Sequence, residues 1–236
     1  MNQVHLIGGE KGGVGKSVMS RVFAQYCIDR GVPFQGFDSD RSHGSFMRFY
    51  QGYAEHVGLE DFQSLDQLAE AALRGKGRQV IVDLAAQSSS SLRGWMDDTG
   101  VLELFHEAGV AVNCWHLLDD GRDSLEMLGR LMDDFGPQVR YVIVLNHGRG
   151  ARFDAFHASP QRIRAQELGA RILELPKLHE GSMRQVDHSN SSFWSAVNPA
   201  ENGDQLLGIL DRQRVKVWLR KVYGELDSLG LCERQF

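Results

Sequence analysis

A run of seven residues, Lys11-Gly12-Gly13-Val14-Gly15-Lys16-Ser17, constrains this chain more than any other feature. An apolar stretch at 4–7 precedes it, and an amphipathic stretch from 17 to about 29 follows, stopped at Gly31. Strand, glycine loop, helix is the context that a phosphate-binding loop of the form GxxxxGK[ST] requires. Glycines let the backbone curl until several N–H groups point inward, and the helix start adds its positive dipole end. Lys16 then reaches the outer phosphates, and the Ser17 hydroxyl holds Mg²⁺. The backbone of Gly12, Gly13, Val14, Gly15 and Val18 completes the candidate cradle. The strict pattern fails at its first glycine, where this chain has Glu10. A glycine turn that binds nothing is the competing reading.

The rest of the chain carries the same alternation. Short apolar runs at 34–37, 79–82, 110–117, 141–145 and 171–175 predict strands. Helical patterns fall at 65–73, with Ser64 as the expected N-cap, and at 123–135. Alternating strands and helices predict an α/β fold, a mostly parallel doubly wound sheet with helices on both faces. The 236 residues carry no linker or repeat, so one P-loop domain over 1–236 is expected, with an amphipathic helical segment at 200–230.

Composition narrows the class. A net charge of -5 argues against non-specific nucleic-acid binding, which depends on neutralising phosphates. Cys27, Cys114 and Cys232 are far apart and form no CxxC pair, which argues against a zinc or dithiol centre. None of the histidines shows HxxxH or HExxH spacing. No apolar run approaches the ~18 residues that a membrane span needs. A bacterial cytoplasmic location is the expectation.

Acidic groups stand where the strands end. Asp38-Ser39-Asp40 follows the run at 34–37, and Asp83 closes the run at 79–82. In a doubly wound sheet the carboxyl ends of the strands line the ligand crevice, so these carboxylates converge on the nucleotide. Polar turns after strands are the alternative. Asp83 fits a Walker B aspartate that holds Mg²⁺ indirectly.

The two-lysine loop resembles the deviant Walker A motif of the MinD/ParA family of ATPases, which tolerates other residues at the position of Glu10. The resemblance implies ATP or ADP with Mg²⁺ as ligands. It implies that Lys11 crosses a homodimer interface to the partner's phosphates. The alternatives for Lys11 are a surface lysine or a second phosphate ligand in the same subunit. By the same resemblance, Asp40 orients the attacking water and Asp38 supports Mg²⁺ through its water shell. Asn146 meets the adenine edge, and the segment around Pro176 forms the other wall. Departures are Arg41-Ser42, where the family often has Pro-Gln, and Ala86, where many relatives have glycine. Asn146-His147-Gly148-Arg149 lacks the acidic partner of the guanine-specific NKxD motif, which favours ATP.

The segment 212–229 places Val215, Trp218, Leu219, Val222, Leu226 and Leu229 within an arc of ~100°. It reads first as a final helix docked on the sheet, and otherwise as a membrane-surface helix or a contact for DNA or a partner. Its start at Arg212, together with Gly44-Ser45-Phe46 and the overall size, resembles TraL-type conjugal-transfer ATPases. The expected function is an ATP-dependent dimerisation switch with slow hydrolysis. It would act on a partner in plasmid transfer, DNA partition or intracellular positioning. An ATP-dependent carboxylate-activating enzyme and a scaffold without turnover are the alternatives.

Overall fold

The computed structural model describes residues 1–9, 11–41, 44–198 and 206–231. Glu10, Ser42, His43, Cys232 and the start of the expected C-terminal segment, 200–205, lie outside those ranges.

The chain runs β1 (Gln3–Gly8), α1 (Lys16–Arg30), β2 (Phe34–Asp38), α2 (Ser45–Phe49), β3 (Ala54–His56), α3 (Phe62–Leu73) and β4 (Gln79–Asp83). It continues through α4 (Ser89–Thr99), α5 (Val101–Glu107), β5 (Ala111–Leu118), α6 (Arg122–Phe135) and β6 (Arg140–Asn146). The last elements are α7 (Asp154–His157), α8 (Pro160–Glu167), β7 (Arg171–Leu175), α9 (Glu180–His188), α10 (Phe193–Val197) and α11 (Ile209–Ser228).

The strands form one seven-stranded sheet in the order β3-β2-β4-β1-β5-β6-β7, and every described pair is parallel. All eight residues of β5 and all five of β4 are buried. Burial on both faces explains why these strands read as continuous apolar runs rather than as alternation. Val4, Leu6, Val80, Val82, Ile143 and Leu145 face a core closed by α3 to α8. Ile7, Ile81, Trp115, Val142, Val144 and Leu173 face a second core closed by α1, α2, α9, α10 and α11.

One buried histidine has a structural role. His5 Nδ1 accepts from Trp115 Nε1 at 3.1 Å, so its Nε2 donates to Gln79 Oε1 at 2.8 Å. Burial drives its pKa down to about 4, which keeps the ring neutral.

Three boundaries correct the sequence reading. Helix α3 begins at Phe62, with Asp61 as its N-cap: Asp61 Oδ1 accepts from Gln63 N at 3.0 Å. Ser64, the expected cap, lies inside the helix, and its hydroxyl accepts from Gly58 N at 2.9 Å. The short edge strand β3 carries too few residues for a periodic signal. The closing helix starts at Ile209 rather than Arg212. Its expected apolar stripe is buried throughout, with Trp218 4% exposed, and packs on β7, α9 and α10. That is the docked arrangement. None of the described helices is long and apolar enough to cross a membrane.

Candidate functional site

The loop after β1 lies at the carboxyl end of a central strand, flanked by β4 and β5. Helix α1 begins at Lys16, and its N-cap is Gly15 at φ 103°, with no side-chain cap. The N–H groups of its first turn are therefore left for an anion. Lys16 is 8% exposed. Its Nζ folds back over the loop, donating to the carbonyls of Gly9 at 2.9 Å and Lys11 at 3.2 Å. Val14 is 1% exposed and plugs the loop into the α1-side core, on which half-buried Val18 also packs. Gly12 and Gly13 have open space where a Cβ would stand.

Asn146, at the end of β6, locks this loop from beneath. Its Nδ2 donates to Val14 O at 2.7 Å, and its Oδ1 accepts from Gly148 N at 2.9 Å. A Cβ on Gly15 would stand 2.4 Å from Asn146 Nδ2. Glycine is thus required there for two reasons, the left-handed backbone and the close approach of the amide. Asn146 retains a second amide hydrogen and a second lone pair beyond these bonds. His147 N donates to Leu175 O at 2.9 Å, which sets Pro176 beside it across the β6–β7 pair. The Pro176 carbonyl accepts from Trp218 Nε1 at 2.6 Å, so α11 holds this segment.

The acidic groups converge as expected. Asp38 pairs in register with Asp83 across β2 and β4. Ser39 joins the two strand ends: its N–H and its hydroxyl both donate to Asp83 O, at 3.0 and 3.1 Å. The same hydroxyl accepts from Ala85 N at 2.8 Å. Asp38 has an additional role that the sequence did not show. Its Oδ1 accepts from Asp40 N at 3.0 Å and its Oδ2 from Met47 N at 3.0 Å, which caps α2. Burial raises its pKa against the lowering effect of these backbone donors. Asp40 is half-buried at the start of the turn into α2, where its carbonyl accepts from Gly44 N at 3.0 Å.

Asp83 is 3% exposed, and neither carboxylate oxygen has a hydrogen-bond partner of ordinary geometry. Burial and then the Asp38 charge push its pKa up to about 7, although the Ser17 and Ser20 hydroxyls and Lys16 pull it down. A buried carboxylate without partners is costly unless a cation or its water shell completes it. Asp83, Ser17 and Asp38 therefore fit a hydrated Mg²⁺, whose hard charge suits oxygen donors.

Lys11 takes a partner that the sequence reading did not name. Its Nζ lies 2.6 Å from Asp119 Oδ2, just beyond β5. Asp119 is itself held by the Ser124 hydroxyl at 2.6 Å and by Gly121 N at 3.0 Å. The Asp119 hydrogen bond raises the Lys11 pKa, and Asp123 and Asp120 add to it. The Asp119 carboxyl is lowered despite partial burial, through Lys11, Ser124 and Gly121.

No protein-family model matches this sequence. The chain is 24% identical to the protein TraL of Escherichia coli over 98% of this chain and 100% of TraL. It is 26% identical to the protein MobD of Acidithiobacillus ferrooxidans, over 74% of this chain and 78% of MobD. Among solved structures, the septum site-determining protein MinD of Pyrococcus horikoshii, complexed with Mg-ADP, matches with a TM-score of 0.55. That match has 10% identity and covers 100% of this chain and 99% of MinD. At that identity the likeness establishes the fold alone. The chain is thus similar to TraL from end to end and has the α/β fold of a P-loop NTPase that MinD also has, in line with the resemblance its phosphate loop carries.

Proposed function

We propose that the chain binds Mg-ATP, dimerises around it and hydrolyses it slowly, as a switch acting on a protein partner in conjugal plasmid transfer within the bacterial cytoplasm. The observation that carries this reading is the buried Asp83 carboxylate, without a hydrogen bond of ordinary geometry, next to a phosphate loop that presents Lys16, Ser17 and an uncapped helix start. The Mg-ADP held by the matched MinD supports the ligand class.

The chain's own groups divide the work. Lys16 leaves the Gly9 and Lys11 carbonyls to meet the outer phosphates, and the N–H groups of the loop surround them. Ser17, Asp83 and Asp38 would hold the hydrated metal, which would supply charge neutralisation for the phosphates. Asp40 orients the attacking water. Asn146 uses its remaining amide hydrogen and lone pair on the adenine edge, with Pro176 opposite. Lys11 exchanges Asp119 for the phosphates of the second subunit, placing a cation where negative charge accumulates.

Isothermal calorimetry with Mg-ATP tests the core of this reading. Wild type should take up one nucleotide per chain, and Lys16→Ala should take up none. Uptake of ATP by Lys16→Ala with unchanged affinity would overturn the site assignment. Asp40→Ala should bind ATP normally but stop phosphate release.

A further inference from the structure

On the sheet face opposite α1 lies a cavity of about 330 Å³ between α4 and α6. Its walls include Leu6, Leu84, Leu92, Leu131 and Phe135, with Met127 half-buried at one side. Leu6, Leu92 and Phe135 are each buried, 2–3% exposed. Protein interiors rarely leave voids of this size, because wall atoms without neighbours forfeit their dispersion contacts. An apolar cavity of about 150 Å³ accommodates a benzene ring, so one about twice as large takes a two-ring body.

The rim is polar. Arg130 and Asp134 stand one turn apart on α6, both exposed, and neither side chain makes an ion pair among the described residues. The guanidinium of Arg93 lies nearby, 5.1 Å from the Phe135 ring centroid, and hydrogen-bonds to the Asp134 carbonyl. The Nε of Arg93 is paired with Asp97 at 2.7 Å, so Arg130 is the cation at the rim that no described ion pair takes up. Apolar walls with the Arg130 guanidinium at the rim complement a molecule that has an apolar body and an anionic end.

We propose that this cavity is a second ligand site, distinct from the phosphate loop, that takes a small aromatic or branched organic anion. The apolar body sits against Leu84, Leu92 and Phe135, and the anionic group meets Arg130. Asp134 opposes it and sets a limit on how much negative charge the site accepts.

The cavity also adjoins the nucleotide machinery. Gly8 and Gly9, which lead into the phosphate loop, line it, as do Gln87, Ser88 and Ser89, which follow Asp83. Gln87 holds a left-handed backbone at φ 60°, unusual for a residue with a side chain. If the proposed nucleotide site is correct, ligand in the cavity and Mg-ATP change each other's affinity by the same factor, since coupling between sites is reciprocal.

Two fluorescent probes test the site in the full chain. One is 1-anilinonaphthalene-8-sulfonate, an aromatic anion; the other is the neutral N-phenyl-1-naphthylamine. Each should saturate at one equivalent. Met127→Trp, which fills the cavity, should abolish enhancement of both, and Leu131→Trp serves as a second filling variant if the first is unstable. Arg130→Glu should weaken the anion by about tenfold and leave the neutral probe within twofold, while Asp134→Asn should tighten the anion. Probe binding that survives both filling variants, or an equal effect of Arg130→Glu on both probes, refutes the proposal. Equal probe affinity with and without saturating Mg-ATP, in protein that takes up Mg-ATP by calorimetry, refutes the coupling. Failure to take up Mg-ATP with probe binding intact counts against the nucleotide site instead.

Discussion

The buried carboxylate of Asp83 should leave a measurable mark on folding stability. In the metal-free folded chain its pKa is about 7, against an ordinary value of 3.8. The folded state therefore binds this proton more tightly than the unfolded state does. The stabilisation is complete below pH ~4 and is lost as pH rises to about 7. Each pKa unit corresponds to about 1.4 kcal/mol, so two units between pH 5 and pH 7 amount to about 3 kcal/mol. Asp83→Asn carries no proton to lose. The stability difference between wild type and Asp83→Asn should then shift by about 3 kcal/mol from pH 5 to pH 8, with the variant gaining on wild type. Comparing the two proteins cancels the titrating groups that do not interact with Asp83 and any pH-independent cost of the amide. Urea unfolding followed by tryptophan fluorescence, with EDTA present, measures it. A difference that stays constant across that pH range would refute the reasoning, because it would mean that Asp83 is ionised throughout. The same reasoning gives a second readout: magnesium nucleotide binding at pH 6 should release close to one proton, seen as a buffer-dependent binding enthalpy.

Other perturbations follow from the contacts. Lys11→Ala should bind ATP with little change but form no ATP-dependent dimer in sizing chromatography; persisting dimers would remove the trans-acting role. Asp119→Asn frees Lys11 from its ion pair and should lower the ATP concentration at which dimers form. Gly36→Ala places a methyl group 2.7 Å from the Phe46 ring, and this overpacking should cost about 1–3 kcal/mol in chemical denaturation. Asn146→Ala leaves the Val14 carbonyl without its donor, so stability should fall by about 1–3 kcal/mol and ATP affinity should fall with it.

The loop proposed to bind phosphate was legible as a strand–loop–helix unit because its pattern is local. Gly15, Lys16 and Ser17 sit side by side, and the strand before them and the helix after them follow from spacing alone. Asp38 and Asp83 were legible because apolar runs end at them. What stayed hidden depends on contacts between distant parts of the chain. Nothing in the sequence near Lys11 points to Asp119, 108 positions away, and only the β1–β5 pairing brings them together. Ser39 reads as the spacer between two aspartates, yet it stitches β2 to β4. Asp38 reads as a metal-side carboxylate, and its cap on α2 required knowing that residues 45–49 are helical at all. That helix is too short to generate a periodic signal, and its buried Phe46 ring lies over Gly36 of β2.

The bond from Trp218 to the Pro176 carbonyl ties the closing helix to the segment proposed as one wall of the nucleotide pocket. A residue that emits light stands behind the surface on which the purine is expected to rest. The environment of its indole should therefore change on ATP uptake, giving an intrinsic optical signal without labelling. For the same reason, shortening the chain ahead of α11 would be a poor way to isolate the proposed nucleotide site, since it would remove the support of the Pro176 segment.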